Sequence, residues 1–501
     1  MATKQIEDPQ TGELISLIPV THWYDGTPMT NSLCDGIIYF QGEPTDPDDY
    51  YKRYIEDHIN VKWFGAKGNG MNDDTSNIQH AFDYLHDLRN YRNINDPSYD
   101  LCCLIPDGRY KITSTLLFPT SCVLKGESKH GTVLFTDRHD ISILFPSEKG
   151  DALNDHHHRE ESDPYTNVGE EFTIISDLTI AGPYYGANPT GSRSEILNNF
   201  SNGILIYQTT KITLQNINIE GFENAGIHIN NSFYVNIDNS TFINNKIGVL
   251  GDATTTTIYV VNSTFRLNSK AISLYNTYGC SFVNCIVEAN IASYLPQINS
   301  SPEISKAIGV YLKDCKNISF TNSYFEAHLE SIILDSSNSN IFTNCFFAPF
   351  ENVNFGNNTK VVKFNGNSSY NKFIDNYYDA FDPLTYSPYK FSVEDKSLSK
   401  GNVFDFTLKD HFDNFISQNS TEFNDFITNN LKANAPKLIC TGANEQFVDA
   451  ERRYIIDKTF GSTSERPIDN LYKGQYYFDS TSGKPIFWQG TKWVYADGTN
   501  A

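Results

Sequence analysis

Asn202-Gly-Ile-Leu-Ile-Tyr-Gln-Thr-Thr-Lys-Ile-Thr-Leu-Gln-Asn-Ile-Asn-Ile-Glu-Gly-Phe-Glu223 is one period of a repeat. Its Gly/Ala-apolar step recurs at Gly203, Gly226, Gly248, Ala271, Gly309 and Ser331, at separations of 23, 22, 23, 38 and 22 residues. An independent column, Asn216, Asn239, Asn262, Asn284, Asn322 and Asn344, is spaced 23, 23, 22, 38 and 22. Two markers that keep one period and skip at the same place define a real repeat with one insertion of about 16 residues. Inside the period, Ile204-Leu-Ile-Tyr207, Ile212-Thr-Leu214 and Ile217-Asn-Ile-Glu220 are short β-patterned runs split by polar turns. Alternation sends Ile204, Ile206, Ile212, Leu214, Ile217 and Ile219 inward and leaves Leu205, Tyr207, Thr213, Asn218 and Glu220 outward. Stacked copies make three parallel sheets around an apolar interior, rising about 4.8 Å per coil. The recurrent Asn suits a tight turn, because it tolerates left-handed backbone and its amide can bond the Asn of the next coil. The predicted fold class is all-β: a parallel β-helix, a three-sheet solenoid over residues 59–400.

Composition fits that shape. A chain of 501 residues is too long for one compact core, but a solenoid grows lengthwise. Asp and Glu outnumber Lys and Arg by 60 to 38, a net charge of −22, which argues against nucleic acid and anionic membranes as partners and leaves a neutral or sparsely charged glycan. The nine cysteines are scattered without metal-ligand spacing; Cys280, Cys285, Cys315 and Cys345 fall within the repeat as small apolar fillers. The opening Met-Ala-Thr-Lys-Gln-Ile-Glu has no basic-then-apolar signal pattern, and no apolar run reaches membrane length. The expectation is a protein assembled in cytoplasm with reduced thiols and no membrane insertion.

Upstream of the repeat, Val61-Lys-Trp-Phe-Gly-Ala-Lys-Gly-Asn-Gly70 ends a strand in glycines, and Asp73-Asp74-Thr75 precede Ile78, Phe82 and Leu85, which share a helical face. Capping of that helix accounts for the paired carboxylates without a catalytic or metal role. The next stretches, Leu104-Ile-Pro-Asp-Gly-Arg-Tyr-Lys-Ile112 and Cys122-Val-Leu-Lys-Gly126, continue in the same style. Together, Val61 to Gly126 resembles the opening of the pectate-lyase superfamily of β-helix proteins, and the likeness continues, as coils only, to about residue 380. The resemblance implies a right-handed solenoid whose N-terminal end is plugged by a helix. The family's catalytic residues do not carry over. The Asn-Thr-Asp, double-Asp and Gly-His-Gly set of polygalacturonases is absent, and no calcium cluster of the pectate-lyase kind is recognisable.

The ends divide from the solenoid. Residues 1–58 read as an attachment segment too poor in apolar residues to fold alone. Residues 401–436 carry Leu408, Phe412, Phe415, Phe423, Phe426 and Ile427, the pattern of a helical stem or two packed helices. In 437–501, Lys473 to Tyr495 reads as a small aromatic β-meander that cannot bury its own rings. That tail is similar to the terminal segment of bacteriophage tail proteins, which implies a virion location, contacts with other tail proteins through residues 1–58, and a homotrimer.

Candidate chemistry follows from register. Four places after each Asn stand Glu220, Ile243, Arg266, Glu288, Glu326 and Ala348. Glu288 and Glu326 on adjacent coils would hold carboxyls on the order of 5 Å apart, the spacing of a retaining glycosidase pair. Arg266 and His328 accompany them. A second column carries Tyr207, Asp252, Tyr275 and Asp335, with His228 and Tyr311 beside it; aromatic rings next to acids on a flat β-face suit sugar binding. Insertions at Pro183–Phe200 and Ile291–Lys306 enter at the same turn and would wall a groove on one flank. His156-His157-His158 reads as a solvated loop, with no metal or cofactor expected. Three functions fit: a tailspike or tail fibre that binds and depolymerises host surface polysaccharide, a non-enzymatic receptor-binding tail protein, and a cellular polysaccharide lyase or hydrolase.

Overall fold

The computed structural model describes residues 4–42, 49–91, 102–146, 173–183, 201–290, 307–348, 360–379, 393–395, 402–409, 460–466 and 476–501. Each coil contributes a strand to three faces, as in Asn202–Tyr207 (first face), Thr210–Gln215 (second) and Asn218–Glu220 (third). Successive coils pair in parallel and in register, with Ile204 opposite Ile227, Leu214 opposite Ile237 and Ile219 opposite Phe242. The first face is a 10-stranded sheet. The other two form one 22-stranded sheet, in which Lys372–Asp379 pairs with both Ile341–Thr343 and Phe346–Ala348.

Every side chain assigned inward in the quoted period is fully buried. Identical residues stack at the coil rise. The rings of Phe282, Phe320, Phe342 and Phe373 succeed one another at 4.5, 5.0 and 4.7 Å, nearly coplanar in tilt. The Asn column lies at the second-to-third corner with φ between 47° and 54°, and the Asn239 amide donates to the Asn216 carbonyl at 3.3 Å, as does Asn284 to Asn262. A second, internal ladder closes the third-to-first corner. Asn245 Nδ2 donates to Asn268 Oδ1, Asn268 Nδ2 to Asn290 Oδ1, and Asn290 Nδ2 to His328 Nε2. On the first face a Cβ at Gly248 would lie 2.5 Å from the Ala271 carbonyl, so the backbone itself fills that place.

The helix Thr75–Tyr91 packs on the first coils, with Phe82 edge-on to Phe118 at 5.0 Å. The Asp pair divides its work. Asp73 accepts from the Thr75 amide at 3.0 Å and so serves the helix start, whereas buried Asp74 turns back to accept from the amides of Lys67 and Gly68. Residues before Ile59 form an antiparallel sheet of Lys4–Glu7, Leu14–Pro19, Tyr50–Arg53 and Tyr39–Gln41, in that order. Its Ile38, Tyr39 and Tyr50 share one core with Ile78, Phe82 and Leu85 of the helix, which supplies the apolar mass the segment lacks.

Arg53 is buried in this sheet, pairs with Asp8 and stacks over Trp63 at 4.3 Å. Burial by itself raises the Asp8 carboxyl, but hydrogen bonds from Arg53 and from the Thr11 and Gln10 amides outweigh it and hold the group below the ordinary range. A depressed folded pKa stabilises above the unfolded value of about 3.9, and that contribution is lost as pH falls through the folded value. Arg53→Ala leaves a buried carboxylate unpaired and is expected to cost about 3–5 kcal/mol locally. Amide exchange over residues 4–42 should rise sharply at pH 7, and the gap from the parent should narrow once Asp8 is protonated in both.

At the far end, Val403–Lys409 is a parallel strand on Lys372–Asp379, so Leu408 belongs to the solenoid and not to a stem. The rest of the stem pattern, and His156 to His158, lie outside the described residues. The terminal meander, Tyr476–Asp479, Lys484–Trp488 and Trp493–Tyr495, is antiparallel as read. Two of its rings find burial, Tyr477 and Trp493 making a small core with Ile486, and Asp479 is buried against Arg466. Phe478, Phe487, Trp488 and Tyr495 stay half-buried, so the expectation that this segment could not bury its own rings is corrected for Tyr477 and Trp493 alone.

Candidate functional site

The acid column lies on the third face with the predicted register. Arg266 pairs with Glu288, and Glu288 with Glu326, across Thr264–Arg266, Ile286–Glu288 and Tyr324–Glu326. Neighbouring strands are about 4.8 Å apart, so these two half-buried carboxylates come from vertically adjacent backbone positions. Arg266 Nε stands 3.8 Å from Glu288 Oε1, a loose ion pair on an exposed arginine. Tyr324 Oη donates to Glu326 Oε2 at 2.9 Å. One acid therefore faces a cation and the other a phenol, an asymmetry that lets the two differ in role. Farther along the column, burial pushes the Glu220 carboxyl up, against the Asn244 amide that favours its charged form.

His328 does not belong to this surface. It is 3% exposed, its Nε2 accepts from Asn290, and burial pushes its imidazole down to about 3. The assignment of His328 to substrate binding is corrected: Ala327, at φ 58°, turns the chain left-handed, so the residue after it points inward. The preceding corners do the same at Leu267 and Ala289, which is why Asn268 and Asn290 are internal.

The second group occupies the first face, around the corner from the acid pair. His228 Nε2 lies 3.1 Å from Asp252 Oδ2, and Asn230 donates to Asp252 Oδ1 at 2.6 Å. On the next two coils, Tyr275 and Tyr311 hold ring centroids 5.6 Å apart, and Tyr311 Oη donates to Asp335 Oδ2 at 3.2 Å. Burial, then the nearby Asp335 and Tyr275, raise the Tyr311 phenol, so it stays a donor. Tyr207 sits half-buried at the start of the row, opposite Asn230. Substrate-binding candidates thus sit on both faces, with Arg266 beside the acids and Tyr207, His228, Asp252, Tyr275, Tyr311 and Asp335 on the first face.

Two side chains on the first face, Lys270 and Glu330, escaped the sequence pattern. Lys270 Nζ lies over the Tyr311 ring at 4.9 Å, and Lys363 Nζ is 2.6 Å from Glu330 Oε1. Register explains the omission. Pairing runs Asn202 to Ala225 and then Ile204 to Ile227, skipping Gly203 and Gly226, so the residue before each Gly joins the outer surface against simple alternation. A Lys and a Glu in that pre-Gly place were the available signal. Among the described residues no cluster of three or more His, Cys, Asp or Glu could hold a metal, and no helix is long and apolar enough to cross a membrane.

Comparison with known proteins follows this geometry. Residues 58–294 match the family model "Rhamnogalacturonase A/epimerase, pectate lyase-like", which ends between Glu288 and Glu326. In fold, the chain is similar to the enzymatically active domain of bacteriophage CBA120 tailspike protein 2 (13% identity, TM-score 0.57, 81% of this chain and 55% of that one). It is also similar to DFA-IIIase from Arthrobacter chlorophenolicus A6 (13% identity, TM-score 0.51, 71% and 88% covered). A stretch of 53 residues is 42% identical to an uncharacterized 65.4 kDa protein in the cps region of Klebsiella pneumoniae, covering 11% of this chain and 8% of that protein. The chain spans about half the length of the tailspike it matches. Register and capping helix show that this chain carries a parallel β-helix, of which residues 58–294 match a pectate-lyase-like family model.

Proposed function

We propose that this chain is a bacteriophage tailspike whose β-helix binds a host surface polysaccharide and cleaves it with Glu288 and Glu326. The observation that carries the cleavage is the register of the two glutamates on adjacent strands, the way this fold brings two carboxyls to glycosidase distance. One of the two would deliver a proton and the other serve as nucleophile or charge stabiliser. A binding-only reading is favoured by Arg266, whose proximity can satisfy Glu288 as an ordinary ion pair. Incubation with the capsular polysaccharide of the host, followed by chain length on a sizing column, separates them. Shortening supports cleavage, retention without shortening supports binding alone, and neither outcome removes both.

In this reading residues 1–58 attach to other tail proteins and the chain is a homotrimer of the virion tail. Exposed apolar side chains on the second and third faces, Ile286 at 42%, Ile341 at 38% and Phe346 at 36%, offer a surface for neighbouring copies. Light scattering at micromolar concentration should give three times the chain mass. A stable monomer would count against the assembly.

A further inference from the structure

The antiparallel sheet that precedes the solenoid is covered unevenly. Leu17 and Arg53, paired across its two central strands, face the first coils, where Arg53 lies over Trp63. On the opposite face Ile18, Lys52 and Tyr39 pair in a row, and that end is closed by Trp23, edge-on to Tyr39 at 6.2 Å. The other end of this face is open. Glu7 pairs with Leu14 and Gln5 with Ser16, and the Tyr54 amide donates to the Ser16 carbonyl, which sets Tyr54 beside Ser16 on the same face. Leu14 is 69% exposed and Tyr54 57%. Diagonal neighbours on one face of a sheet stand about 7–8 Å apart, so the two side chains form one apolar patch.

The charge around that patch has one sign. Residues 1–58 hold eleven Asp and Glu against three Lys and Arg. The three cations are engaged inside the sheet: Arg53 is buried with Asp8, Lys4 lies over the Tyr51 ring at 5.2 Å and Lys52 over the Tyr39 ring at 5.8 Å. Glu7 opposite Leu14, Glu13 next to it and Glu56 two residues past Tyr54 are exposed, and among the described residues none of them has a cation at ion-pair distance. An apolar centre with a polar rim is the anatomy of a protein interface, and here the rim charges are all negative.

We infer that the open end of this sheet, at Leu14 and Tyr54 rimmed by Glu7, Glu13 and Glu56, is the surface through which the chain docks on a partner protein, and that the partner presents a basic segment with an apolar side chain for the centre. The rim carboxylates select the sign of the partner, and the apolar pair supplies the contact area. A second copy of this chain, at a net charge of −22, carries the wrong sign, as do nucleic acid and anionic membrane. The inference rests on the reading of residues 1–58 as the attachment to other tail proteins, and adds where the contact lies and which charge the partner carries.

Incorporation into particles tests this. Cells infected by the phage that encodes the chain, with the phage copy of the gene disabled, are supplied with the full chain, and its amount in purified particles is read by immunoblot. Leu14→Ser/Tyr54→Ser and Glu7→Lys/Glu56→Lys should each lower incorporation about tenfold or more, the first by emptying the apolar centre and the second by setting like charges against each other. Asp314→Lys/Asp375→Lys, the same charge change at exposed acids of the solenoid, should incorporate as the parent does. Revertants of the Glu7→Lys/Glu56→Lys chain should exchange a Lys or Arg of one tail protein for an acidic residue. Amide exchange over residues 4–42 reads whether the sheet is intact, and the charge variant decides where the apolar one loosens it. Parental incorporation of the charge-reversed chain overturns the basic partner, and parental incorporation of both variants overturns the surface while attachment to the tail stands. A parent chain that does not enter particles overturns both.

Discussion

Glu288→Gln and Glu326→Gln should each reduce polysaccharide cleavage by about 10² to 10⁴-fold while binding stays within a few fold. Gln preserves size and hydrogen bonding but can neither hold a full negative charge nor deliver a proton. If the pair works as proposed, the variants should differ in what restores them. Azide should rescue whichever truncated variant, Glu288→Ala or Glu326→Ala, vacates the nucleophile's place, giving a glycosyl azide of inverted configuration, whereas any azide product from the variant lacking the proton donor keeps the configuration. Arg266→Ala reports on the binding-only alternative: a residue that merely neutralises Glu288 can be removed with little effect on glycan retention. Full activity in both Gln variants would move suspicion to Asp252 and Asp335, whose partners His228 and Tyr311 are already in place.

Phe265→Asp should abolish the folded state. Phe265 is fully buried, and its ring stacks on Phe242 at 4.8 Å. A carboxylate there has no cation and no donor, and its burial costs several kcal/mol on top of about 3–5 kcal/mol for the lost ring. That approaches the whole stability of an ordinary domain. Expression should yield aggregate, and circular dichroism of any soluble fraction should lack the β signal. The neighbouring Arg266→Ala, one residue on and outward, should melt within a degree or two of the parent. Comparable tolerance at both positions would mean the register is wrong.

The repeat was legible because this fold writes the same physical demand at the same interval. Asn216 to Asn344 recur because a left-handed corner recurs, and Ile204 or Phe242 because the interior has one width. The acid column was legible for the same reason, since Glu288 and Glu326 sit inside a three-residue strand where alternation holds. It failed one residue beyond the strand's end. Ala327 is left-handed, parity is lost, and His328 enters the interior that an outward count placed it outside. It failed again where the first face skips its glycine, which hid Lys270 and Glu330. The meander failed differently: a strand pattern says which residues alternate, but not that Tyr477, Ile486 and Trp493 meet on one side.

The cysteines of the coils have a consequence of their own. Burial pushes the thiols of Cys280, Cys285 and Cys315 up to about 12 and that of Cys345 to about 11, so almost none is thiolate at neutral pH, and each lies sealed between rungs. An alkylating reagent reaches such a sulfur only after the rungs around it part, because both exposure and ionisation are withheld until then. Each cysteine is therefore a clock fixed at a known height. Cys280 lies two coils from Cys345, with buried Cys103 in the first coils, and the order in which the three are labelled records whether the column opens from one end or all at once.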